Sequence, residues 1–180
     1  MLGTSAIEPI VHGVAFGLAA IGAVTDVRRG IIPNWLTLPV LVLAPLLHGL
    51  NGGVQGFLGS LLGLLVCAAG PLLLFYFDAM AGGDAKLFAA LGAVGGVQLG
   101  LEAEFLSVVA AAIYSVGQLA WNGKLLRSLG NAVFLALNPV LPRRFRRTIP
   151  RELMHRIRLG AAILLGTSIA LLGHHRELWA

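Results

Sequence analysis

From Gln55 to Phe77 the chain runs without one charged side chain. A helix needs roughly 20 such residues to cross the hydrocarbon core of a bilayer. Similar apolar runs recur along the sequence. In lipid each backbone N–H and C=O must find its partner inside the protein, which leaves helices or a closed barrel. The runs here are continuous and do not alternate, which argues against a barrel. Of the 180 residues 57% are hydrophobic and 12% charged, against about 25% charged in a soluble domain. The expected fold is all-α, a polytopic membrane protein of about six transmembrane helices forming one domain over residues 1–180.

Punctuation along the chain divides it into spans. Ile7 to about Val24 is a first helix, closed by Arg28, Arg29 and Gly30, a basic last turn followed by a glycine suited to the left-handed position. Pro33 fixes the re-entry, and Trp35 to Leu50 is a second, short helix that Pro39 and Pro45 can bend. Asn51-Gly52-Gly53 is a turn before the Gln55–Phe77 span. Ala85 to about Gly96 is too short to cross unaided and reads as a partial span or as a helix extending towards Leu101. Glu102 to Trp121 and Leu159 to Leu172 complete the set. The first residues hold Glu8 and no Lys or Arg, so they lack the basic start of a cleavable signal peptide, and the first span is expected to be retained.

Charge orients these spans. All of the thirteen Lys and Arg except Arg176 fall in the loops after the first, third and fifth spans, including the basic stretch 122–158. The positive-inside rule puts those loops in the cytoplasm and both termini outside. The basic stretch reads as a topology determinant resting on anionic lipid, or as a docking surface for a partner. Although the net charge is +5, its confinement to one side of the spans points to lipid, and no nucleic acid is expected.

Two acidic residues stand out because charge is costly near membrane depth and usually functional there. Asp26 lies before the Ile32-Pro33-Asn34 turn, and Asp84 follows Gly82-Gly83 and precedes Lys86. The topology sends both to the cytoplasmic face. Two close carboxylates resist joint ionisation, so one keeps a proton while the other deprotonates a water for attack on an amide carbonyl. Such a pair titrates as a unit, which leaves acid and base unassigned. The glycines before Asp84 would let a substrate backbone approach closely. Simpler roles also fit each residue alone: Asp84 as a helix N-cap, Asp26 as the ion-pair partner of Arg29 or as a loop polar group. Lys86 opposes the dipole of a helix starting there, which suggests a negative charge nearby. Asp78 is expected at the interface after the third span.

These residues resemble the type IV prepilin peptidases, aspartic proteases of the bacterial cytoplasmic membrane. Gly83-Asp84-Ala85-Lys86-Leu87 matches their Gly-x-Gly-Asp-x-Lys-Leu motif, with Ala81 in place of its first glycine. Asp26 ahead of Ile32-Pro33-Asn34 matches their first catalytic aspartate, and Ile149-Pro150 is similar to their closing element. The resemblance spans about Ile7 to Leu172. It implies removal of a short basic leader from prepilins on the cytoplasmic face, with Asp26 and Asp84 catalytic and Gly82, Gly83, Lys86, Pro33 and Asn34 supporting them. Its substrate would present an apolar N-terminal helix, and acidic groups such as Asp78 would meet the basic leader. The chain lacks the paired Cys-x-x-Cys of longer members, so it is similar to the short, peptidase-only branch of Flp (tight-adherence) pili. Neither methyltransferase activity nor a zinc site is expected.

No cofactor or metal is expected otherwise. Cys67 is a lone thiol, and His12, His48, His155, His174 and His175 have no ligand spacing. His48 is expected packed or interfacial, and His174 and His175 solvated at a helix end. The competing functions are a related protease acting on preflagellin-like proteins, a small cation or proton transporter using the two aspartates, and a non-catalytic assembly scaffold.

Overall fold

In a computed structural model, residues 4–77, 79–121 and 159–177 are described, and every regular element among them is α-helical. The expectations for Asp78, Ile149-Pro150, His155 and the basic 122–158 stretch lie outside these residues, as does the side chain of His175. Four helical elements succeed one another: α1 (Thr4–Arg29), α2 (Asn34–Tyr76), α3 (Gly82–Trp121) and α4 (Gly160–Glu177). The chain divides into two units, Met1–Ala110 with Arg158–Ala180, and Ala111–Ile157. The described part of the second is the end of α3; the two aspartates and the residues around them belong to the first.

Among the described residues three helices are long and apolar enough to cross a membrane: Glu8–Arg29, Asn34–Tyr76 and Gly82–Gln118. The two longest are each broken at one glycine in a backbone region that residues with a Cβ avoid, Gly53 (φ 63°, ψ −151°) and Gly96 (φ 77°, ψ −176°). Each break folds the chain back on itself. A Cβ at Gly49 would lie 3.3 Å from that of Phe57, and one at Gly100 would lie 2.8 Å from the Cα of Gly92. The break in α2 falls where Asn51-Gly52-Gly53 predicts a turn, while Pro39 and Pro45 remain inside the helix.

Burial follows the helical period. In α1 the buried stripe is Ala15, Leu18, Ala19, Ala23 and Asp26; in α4 it is Ala162, Ile163, Thr167 and Ala170, at the three- and four-residue spacing of one helix face. Small residues let backbones approach, as is usual between helices in lipid. A Cβ at Gly63 would sit 2.2 Å from the carbonyl oxygen of Gly92, and Ser60 Oγ donates to the Ala93 carbonyl at 2.6 Å. The outward faces carry large apolar side chains such as Leu43, Leu62, Leu73 and Phe105, as a lipid-facing surface requires.

The segment read as a partial span is the centre of the bundle. Asp84, Ala85 and Leu87 through Val94 are all buried. A helix apolar all round is one covered on every side. Its shortness reflects where Gly96 breaks it, and a sequence window sees only the length.

Candidate active site

Asp26 is the last inward-facing position of α1, and helical periodicity alone points it into the bundle. Below it the helix ends as expected, with Gly30 at φ 67° donating its N–H to the Asp26 carbonyl at 2.8 Å. Asp84 sits in the first turn of α3. The Asp84 and Ala85 N–H groups both reach the Ala81 carbonyl, at 3.1 and 3.3 Å, which makes Ala81 the capping residue. Asp84 is therefore the third helical residue and not the N-cap, and its carboxylate makes a backbone hydrogen bond at Ala81, the acidic half of a capping box.

The packing of α1 on α3 sets the two aspartates level. A Cβ at Gly22 would lie 2.8 Å from Leu87 Cδ2. Asp26 is one turn beyond Gly22 in α1, and Asp84 one turn before Leu87 in α3. Both lie beyond this contact, at the same end of the bundle. They are 7% and 5% exposed, and the Asp26 carboxylate is close enough to act electrostatically on that of Asp84. Two acidic groups so placed compete for protons, because a buried pair of like charges is costly.

The supporting residues are drawn together in an unexpected way. Lys86 Nζ donates to Asn34 Oδ1 at 2.9 Å, so the first turn of α3 is tied to the first residue of α2. Pro33, extended at φ −75° and ψ 145°, precedes α2. Gly83 lies against Ile32, where a Cβ would meet that of Ile32 at 3.1 Å, and Gly82 lies against Phe75 at 3.2 Å. The glycines thus admit the protein's own chain at close range. The turn holding Pro33 and Asn34 and the turn holding Asp84 are one packed unit.

One contact has no forerunner in the sequence. The first residue of α4, Gly160, donates its N–H to Asp26 Oδ2 at 2.9 Å. Nothing in Leu159-Gly160-Ala161 marks it locally, and the pair is remote in the chain. At the far end of the bundle, His48 Nε2 lies 3.0 Å from the Val94 carbonyl, a packed position as expected. His174 departs from expectation: it is half-buried, stacks on His12 with ring centroids 6.4 Å apart, and sits 3.6 Å from Glu102 Oε2. No group of side chains among the described residues suits a metal ion.

Comparison with known proteins agrees on one kind of protein. The profile of the type IV leader peptidase family matches residues 13–116, a stretch that includes Asp26, Pro33-Asn34 and Asp84. The chain is 38% identical over 104 residues to a prepilin leader peptidase/N-methyltransferase of Bacillus subtilis (strain 168), covering 56% of this chain and 41% of that protein. The chain therefore spans less than half the length of this relative. No solved structure matches it.

Proposed function

The chain belongs to the type IV leader peptidase family, and on that basis we propose that it is a membrane-embedded aspartic endopeptidase that removes the short basic leader of prepilin-like proteins. Asp26 and Asp84 share one proton. The ionised member takes a proton from a water as its oxygen bonds to the scissile carbonyl carbon. The protonated member passes its proton to the carbonyl oxygen, giving a neutral gem-diol. Collapse of that intermediate breaks the C–N bond: the proton gained from water goes to the leaving amine, and one gem-diol hydroxyl gives its proton to the other aspartate, which leaves the acid product and restores the shared proton. The observation that carries this reading is the pair of buried carboxylates, contributed by distant helices, at one end of the bundle and within each other's field.

The rest of the proposal concerns the same end of the molecule. With α2 and α3 each folded back at a glycine, six helical passages result, and the aspartate end faces the cytoplasm of a bacterial inner membrane with both termini outside. Residues 1–180 form one peptidase domain, with 122–158 as its basic cytoplasmic loop. The apolar flanks meet lipid and the substrate's own apolar helix, and the leader lies at the cytoplasmic surface. Substrates of the Flp type suit a peptidase without methylation, and no methyltransferase activity is proposed for these residues.

Co-expression with a prepilin-like substrate tests the pair. Asp26→Asn and Asp84→Asn should each abolish the mobility shift that accompanies leader removal, with the protein still present in the membrane. Leader removal persisting at the wild-type rate in either variant would end the dyad assignment.

A further inference from the structure

We propose that Gly160 is a positioning residue for the reaction, holding Asp26 through its backbone N–H at the head of the last helix. The inference rests on the dyad reading above, and it concerns a residue outside the matched stretch 13–116. The Ile163 N–H reaches the Leu159 carbonyl at 2.8 Å, which makes Leu159 the capping residue and Gly160 the first in the helix. The first four N–H groups of a helix have no partner within it. That of Gly160 is spent on Asp26 Oδ2, at 2.9 Å in a buried setting. A bond from N–H to a carboxylate is strongest when the acceptor is ionised, and the positive end of α4 adds to it. This contact offsets a disadvantage of Asp26, which lies at the negative end of its own helix.

Fixing Oδ2 leaves Oδ1 as the oxygen for water and for the proton shared with Asp84. Gly160 is also the residue type the site can hold. A Cβ there would stand 2.7 Å from Asp26 Cβ, 2.9 Å from Oδ2 and 3.0 Å from the Cα of Ala23. Any larger residue must push Asp26 or separate α1 from α4. Among the described residues, Asp84 is the titratable group that faces Asp26 from α3. Lys86, on the same turn, is bonded to Asn34, and Arg28 and Arg29 at the end of α1 are exposed. The first turns of α2 and α4 carry no charged residue.

The test is steady-state cleavage of a prepilin-like substrate by the full chain in detergent, for wild type, Gly160→Ala and Gly166→Ala. The second variant is a control for helix packing, because a Cβ at Gly166 would strike the backbone of Ser107, its nitrogen at 2.4 Å, away from the aspartates. Positioning requires Gly160→Ala to lower kcat by about a hundredfold, as expected for a reacting group displaced by about 1 Å, with KM little changed. Gly166→Ala should lower Tm and leave kcat near that of wild type. A wild-type kcat for Gly160→Ala, or an equal loss of kcat in Gly166→Ala, overturns the proposal.

If Gly160→Ala does not fold, the amide proton shift of Gly160 in the wild-type protein decides the matter. It should move in Asp26→Asn, which exchanges the carboxylate acceptor for an amide, and stay in place in Gly166→Ala; a shift unmoved by Asp26→Asn overturns the proposal. Failure here with Asp26→Asn and Asp84→Asn inactive would remove only the role of Gly160. Activity in those two variants would remove the dyad itself.

Discussion

Asp26 owes its position to its own helix and its environment to three others. The period of α1 turns it inward, but Gly160 of α4 bonds it, Asp84 of α3 faces it, and the turn before α2 packs beneath α3 at Gly83 and Ile32. Lys86 and Asn34 show the same economy at the surface. Each looks isolated in sequence, the lysine at an unfavourable helix end, until the fold supplies the other at 2.9 Å. Their bond is partly solvated, so its coupling should be modest. A double-mutant cycle of Lys86→Met and Asn34→Ala, read by thermal unfolding, should give roughly 1 kcal/mol or less. Additive effects of the two changes would mean that the bond does not link the turns in solution.

Among the helices, the breaks at Gly53 and Gly96 matter more than any cap. Nothing stands within 4 Å of a Cβ built at either, so a side chain there meets backbone strain and no clash. Gly96→Ala should cost about 1–3 kcal/mol, seen as a lower Tm, while Gly117→Ala, also in open space but inside a helix, should be neutral or mildly stabilising. Equal Tm values for the two variants would contradict the break. The position of the breaks was legible, because Asn51-Gly52-Gly53 and Gly95-Gly96 interrupt apolar sequence. The centrality of the segment after Asp84 was not. A helix buried all round has no polar face, so its sequence carries no period to announce which sides are covered.

At the scale of the molecule, the aspartates occupy one end of the bundle, and the Gly53 turn, His48 and the stacked His12 and His174 occupy the other. The proposed orientation is open to a direct chemical check. Cys67 is fully buried and should stay silent to a membrane-impermeant maleimide. Cysteines placed at exposed Asn51 and exposed Ala79 then report on opposite ends. In intact cells Asn51→Cys should label, and Ala79→Cys only after permeabilisation. The opposite pattern would turn the two aspartates outward and defeat the proposed access to cytoplasmic leaders.

What the sequence by itself determined was how the chain meets its solvent. Uncharged runs of bilayer length force helices, and glycines end them. It also singled out the two aspartates, because ionisable groups beside such runs are rare enough to notice. Only the tertiary structure decided who touches them. A backbone N–H looks the same in every residue but proline, and Gly160 became the partner of Asp26 through the packing of α4 on α1, a contact no local pattern encodes.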